Sequence, residues 1–77
     1  MVDPSEIRRR IEEALPGARI TVTDLTGGKD HYEVEVVAEQ FAGMNALARH
    51  RKVYGLFDDV IGGPLHALSL TLRAQGE

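Results

Sequence analysis

Apolar residues recur at steps of three and four in two stretches of the chain, which is the spacing that lines one face of an α-helix. The first stretch follows Asp3-Pro4-Ser5-Glu6, where an N-cap acid, a proline at the first helical position and a glutamate able to close a capping box are typical of a helix start. Pro16-Gly17 ends this predicted helix. Its apolar face consists of Ile7, Ile11, Ala14 and Leu15.

The second stretch predicts the longest helix and lies within residues 41–72. A short extra helical turn is expected before it, near Phe41–Met44. Gly62-Gly63-Pro64 ends the helix, because glycine adopts left-handed conformations and proline cannot continue a helix. The face predicted to be buried consists of Leu47, His50, Tyr54, Phe57 and Ile61.

Three further stretches alternate apolar and polar residues, which is the period of a half-buried β-strand. The first strand is centred on Ile20–Thr23, the second runs from His31 to about Ala38, and the third begins at His66. The Gly27-Gly28 connection favours an antiparallel hairpin between the first two strands. The helix that joins the second and third strands makes those two parallel. The inward residues are Tyr32, Val34 and Val36 in the second strand and Leu68, Leu70 and Leu72 in the third.

These elements predict a single α+β domain over residues 1–77, with the order αββ(α)αβ and flexible ends at residues 1–3 and 73–77. Each strand has only one apolar face, so the helices should cover one side of a three-stranded mixed sheet. The other side is expected to face solvent. Its residues are Thr21, Thr23, Glu33, Glu35, Ser69 and Thr71.

Composition narrows the classes of function. A chain of 77 residues is too short to enclose a large active site, so an enzyme is the weakest interpretation. The absence of cysteine excludes a disulfide framework and a thiolate nucleophile. No signal peptide or membrane-spanning apolar run is visible, so we expect a cytoplasmic protein. The net charge of −3 argues against coating nucleic acid through global charge, although a local basic patch is compatible with it.

Several short motifs together resemble the BolA family. They are the Gly-Gly loop before Tyr32-Glu33-Val34, the turn at Phe41-x-Gly43-Met44, the segment Arg49-His50-Arg51-x-Val53-Tyr54, and His66-Ala67-Leu68-Ser69-Leu70. The resemblance covers roughly residues 7–72. It implies a fold akin to the type II KH domain and a partnership with monothiol glutaredoxins. Members share a [2Fe–2S] cluster with these partners in iron trafficking or iron sensing, and some are described as DNA-binding transcriptional regulators linked to stress.

The histidines are the only residues of this chain that could bind such a cluster strongly. Two imidazoles can replace two thiolates on one iron of a [2Fe–2S] cluster. We therefore expect His66, with His31 as second ligand, to share a cluster whose sulfur ligands come from the glutaredoxin and its glutathione, with none bound by the isolated chain. From the residues alone, both histidines could instead be capping or solvated side chains. His50 lies on the predicted apolar face and favours a partly buried structural role.

The basic run on the second helix supports an alternative function. Arg49, Arg51 and Lys52, with Lys29, could bind DNA as in a transcriptional regulator, or an acidic surface of a glutaredoxin. The chain lacks the Gly-x-x-Gly loop with which KH domains clamp single strands. A third interpretation is a homodimer formed through the exposed sheet face or an edge strand.

Overall fold

Two α-helices and three β-strands follow one another in the predicted order. The computed structural model describes all residues 1–77. The elements are α1 (Pro4–Ala14), β1 (Arg19–Asp24), β2 (His31–Val37), a 3₁₀ turn (Glu39–Phe41), α2 (Ala46–Tyr54), a second 3₁₀ turn (Gly55–Phe57) and β3 (Ala67–Arg73). This is the α+β architecture expected from the sequence.

The α1 helix begins as predicted but is capped differently. The Asp3 carboxylate accepts hydrogen bonds from the backbone and hydroxyl of Ser5 at 3.0 and 2.8 Å. Glu6 does not close a capping box, because its carboxylate pairs with Arg9 and Arg10 at 2.7 and 2.9 Å. Two charge-assisted hydrogen bonds satisfy that carboxylate better than a single backbone amide would.

The three strands form one mixed sheet in the order β1-β2-β3. β1 and β2 are antiparallel, with Val22 opposite Val34, and β2 and β3 are parallel, with Val34 opposite Leu70. Both pairings confirm the prediction. In the hairpin loop, Gly27 has a φ of +79°, and the Asp24 carboxylate accepts hydrogen bonds from backbone amides of the loop. Gly27 and Gly28 are therefore part of the turn between β1 and β2.

The α2 helix is shorter than predicted and buries a different face. It ends at Tyr54, and Val53 is its only buried residue, whereas Leu47 is 58% exposed and His50 is also exposed. The backbone tightens into a 3₁₀ turn at Gly55, which shifts the angular position of every later residue. Phe57 consequently reaches the core without sharing a continuous helical face with Leu47. The Gly62-Gly63-Pro64 segment forms a later turn and does not end the helix.

The core lies between the helices and one face of the sheet. Tyr32, Val34 and Val36 point into it from the central strand, as predicted. Both ends of the chain reach this core, since Val2 and Ala74 are buried. The other fully buried large side chains are Ile7, Ile11, Leu15, Phe41, Val53, Phe57 and Leu65.

Candidate functional site

His31 and His66 lie side by side at one end of the sheet, where β2 and β3 begin. β2 begins at His31, β3 begins one residue after His66, and the parallel register places His31 opposite Ala67. Their rings are stacked, with centroids 5.7 Å apart and an interplanar angle of 10°. Two histidines that are 35 positions apart in sequence are therefore brought together because parallel strands start at the same edge.

Asp30 contacts both histidine segments. Its backbone carbonyl accepts hydrogen bonds from the amides of His66 at 2.8 Å and Ala67 at 3.1 Å. Its carboxylate oxygen Oδ1 lies 3.0 Å from Nδ1 of His31 and accepts a hydrogen bond from the Thr26 hydroxyl at 3.0 Å. The side chains of His31 and Thr26 lower the pKa of the Asp30 carboxyl. The histidine pair thus has an ionised carboxylate beside it.

The donor atoms of this site suit half of a metal centre. With a metal–nitrogen distance of about 2 Å, as for zinc, two imidazoles on one metal have centroids about 5 Å apart. The observed centroid spacing of 5.7 Å is close to this value, but the rings are stacked at an interplanar angle of 10°, so they must rotate before their lone pairs converge on one metal. The chain contains no thiol and no group of three or more side chains that could hold a metal ion. Any cluster bound here needs its remaining ligands from another molecule.

His50 lies apart from this pair and is not the partly buried residue that the sequence predicts. It is exposed on α2 and stacks on Tyr54, with centroids 5.0 Å apart. A shallow groove between α2 and β3 passes beside it. The groove is lined by Met44, Ala46, Arg49, His50, Leu70 and Leu72.

Two of the four predicted basic residues are engaged in ion pairs within the chain. Arg49 is only 13% exposed, and its guanidinium binds the Glu77 carboxylate through two contacts of 2.6 and 2.7 Å. Lys29 lies 3.6 Å from Asp3. Arg51 and Lys52 are exposed and form no ion pair. Two of the four cations therefore remain unpaired for contact with a partner.

Sequence reasoning missed Asp30 and Glu77. The sequence did contain a signal for Asp30, because this acid directly precedes the candidate ligand His31. No local signal could identify Glu77, because it meets Arg49 across 28 positions of the chain.

The fold defines a small α+β domain whose candidate ligands lie at the edge of a three-stranded mixed sheet. In a comparison with known protein families, the family described as BolA-like protein matches residues 9–77 of this chain. The chain belongs to the BolA-like family. Human BolA-like protein 1 is 33% identical over an alignment of 78 positions, which covers 92% of this chain and 57% of the human protein. The chain thus spans little more than half the length of that relative.

Solved structures agree with this assignment. BolA1 from Arabidopsis thaliana superposes with a TM-score of 0.88 at 28% identity and covers 100% of this chain and 98% of that one. The BolA domain of SufE1 from the same plant gives a TM-score of 0.84 at 27% identity, covering 97% and 96% of the two chains. The same fold therefore occurs also as one domain of a larger protein.

Location in the cell stays a prediction. No helix of this chain is both long enough and apolar enough to span a bilayer. Relatives from Arabidopsis are named chloroplastic and chloroplastic/mitochondrial. A cytoplasmic location is therefore not a property of every similar protein.

Proposed function

We propose that this protein is a non-enzymatic adaptor that binds a monothiol glutaredoxin and shares a [2Fe–2S] cluster with it in iron–sulfur trafficking or iron and redox regulation. His66 and His31 are the proposed ligands on this chain. The observation that carries the proposal is their position, side by side and 5.7 Å apart at an accessible edge of the sheet. Membership of the BolA-like family supports the choice of partner.

The chemistry of the site requires two molecules. This chain contributes two imidazole nitrogens, and the glutaredoxin cysteine with the thiol of bound glutathione would complete the four ligands. When bound, a cluster with two histidine ligands on one iron supplies a higher reduction potential than one with four thiolates. The histidine side chains project from strand ends, so a partner can approach them without unfolding the sheet. His31 keeps 40% of its side chain exposed, and His66 is exposed.

The test is a titration of a [2Fe–2S] glutaredoxin–glutathione homodimer with this protein, followed by visible absorbance and circular dichroism. We expect the spectrum to convert to that of a heterodimer. His66→Ala should abolish the conversion, and His31→Ala should shift the spectrum or weaken the complex. His50→Ala is the matched control, because it removes an exposed histidine that lies outside the pair, and it should behave like the wild type.

Two results would oppose the proposal. One is a wild-type protein that leaves the spectrum unchanged, and the other is an equal loss in all three histidine variants. DNA binding through α2 then becomes the leading function. Its signature would be an affinity that falls with salt, with a slope of log K against log salt of about −2 if only Arg51 and Lys52 contact phosphates.

A further inference from the structure

We propose that Asp30 is a positioning residue that fixes the tautomer of His31 and thereby selects Nε2 as its metal-binding nitrogen. This inference rests on the proposed role of His31 as a cluster ligand. Histidines that bind metals usually donate the hydrogen of their other ring nitrogen to a carboxylate or carbonyl, which sets the tautomer and the ring orientation. Asp30 is the carboxylate placed to do this.

The contact between the two side chains determines where the ring hydrogen lies. Nδ1 of His31 is buried and lies 3.0 Å from Oδ1 of Asp30. An ionised carboxylate can only accept hydrogen bonds, so a bare Nδ1 would place two lone pairs against each other. The neutral ring must therefore carry its hydrogen on Nδ1. The two atoms are within hydrogen-bond distance, although the N–H does not point directly at the oxygen in this rotamer. Nε2 is then left with a free lone pair.

The loop holds the Asp30 carboxylate in place from its other side. The Thr26 hydroxyl donates to the same Oδ1 at 3.0 Å, and the Gly28 amide donates to the Thr26 hydroxyl oxygen at 3.2 Å. A Cβ at position 28 would lie only 3.1 Å from Oδ1 of Asp30. Glycine at this position thus leaves the space that the carboxylate occupies.

The backbone of Asp30 connects the same residue to the second proposed ligand. Its carbonyl accepts from the amides of His66 and Ala67, which sets where β3 begins relative to β2. One residue therefore positions the His31 ring through its side chain and the start of the His66 strand through its main chain. A substitution of the side chain should therefore affect the His31 ring and the Thr26 hydroxyl and leave the backbone bonds to His66 and Ala67 in place.

The first arm of the test uses the isolated protein and needs no cluster. Long-range ¹⁵N–¹H NMR correlations of the imidazoles report which nitrogen carries the hydrogen. We expect the Nδ1–H form of His31 to predominate in the wild type, to be lost in Asp30→Ala, and to be reduced in Gly28→Ala, which displaces the carboxylate without removing it. Asp58→Ala, which removes an exposed carboxylate elsewhere, should change nothing. If Asp30→Ala does not fold, Asp30→Asn should shift the tautomer in the same direction by less.

The second arm measures the lifetime of the cluster in the heterodimer. A partner in the second coordination shell typically contributes 10- to 100-fold to metal affinity, so we expect the lifetime to shorten by about 10-fold or more in Asp30→Ala. An Nε2–H tautomer in the wild type, or an unchanged tautomer in Asp30→Ala, would overturn the assignment of Asp30. A normal lifetime in a variant with an altered tautomer would overturn its role in metal binding. Failure of the wild type to take up a cluster would refute the proposed function, and the NMR arm would still decide whether Asp30 sets the tautomer.

Discussion

Tyr32 is fully buried, yet its hydroxyl donates a hydrogen bond to the backbone carbonyl of Val2. Burial raises the pKa of Tyr32, so the phenol stays protonated and remains a donor. Val2 also donates its amide to the carbonyl of Lys29. The alternation of the second strand predicted that Tyr32 points inward. It could not predict the acceptor of its hydroxyl, which is the carbonyl of Val2, 30 positions earlier in the chain.

Tyr32→Phe should destabilise the protein, because it leaves the Val2 carbonyl without its donor inside the core. We expect the free energy of unfolding to fall by about 1–2 kcal/mol, measured by denaturant titration. Tyr54→Phe is the control, since the hydroxyl of the half-buried Tyr54 makes no hydrogen bond, and it should change stability much less. Equal losses in the two variants would show that the hydrogen bond to Val2 contributes nothing measurable.

Among the elements, α2 departs furthest from expectation. The apolar spacing predicted a long helix that buries Leu47 and His50, but the helix contacts the core through Val53 and continues as a 3₁₀ turn that inserts Phe57. Periodicity gives the angular spacing of residues on an ideal helix. It does not state where the backbone changes from α to 3₁₀ geometry, which here occurs at Gly55.

Two alanine variants separate the predicted face from the observed one. Val53→Ala removes buried methyl groups and should lower the free energy of unfolding by about 2 kcal/mol. Leu47→Ala removes a larger side chain that is already mostly in water, so its effect should stay within about 0.5 kcal/mol. Chemical denaturation of both variants measures the difference. A larger loss in Leu47→Ala would mean that the predicted face is the buried one in solution.

At the scale of the whole molecule, ion pairs join segments that are distant in sequence. Arg10 of α1 binds Asp59 after the second 3₁₀ turn, and Arg49 of α2 binds Glu77 beyond β3. The Arg49 side chain holds the pKa of Glu77 at about 2, with help from the amide of Ala74. Arg9 and Arg10 likewise lower the pKa of Glu6 to about 2. Both carboxylates therefore remain ionised far below neutral pH.

These depressed pKa values predict how stability depends on acid. A carboxyl group whose pKa is lower in the folded state stabilises the fold above its ordinary pKa of 4.5 and loses that contribution as pH falls toward about 2. Glu77→Gln should therefore be less stable than the wild type at pH 7, and the difference should shrink as the pH is lowered from 4.5 to 2. Denaturant titrations across this range measure it. Glu12→Gln is the control, because it removes an exposed carboxylate that forms no ion pair. If the difference in free energy of unfolding between Glu77→Gln and the wild type stays constant with pH, the prediction is contradicted.

The sequence by itself determined the order of elements, the inward face of each strand and the direction of strand pairing. These properties follow from local periodicity, from turn residues such as Gly27, and from the handedness of crossover connections. The sequence also supplied both candidate ligands, His31 and His66. The motifs around them were specific enough to indicate the family to which the chain belongs.

Only the tertiary structure decided which groups meet. The 5.7 Å separation of His31 and His66 depends on the register of two parallel strands, and the pairing of Arg49 with Glu77 depends on where the chain passes after β3. Neither is encoded in the spacing of neighbouring residues, because both distances are set by how the core packs. Asp30 is next to His31 in the sequence, but only the structure shows that its carboxylate oxygen lies 3.0 Å from the Nδ1 atom of that ring.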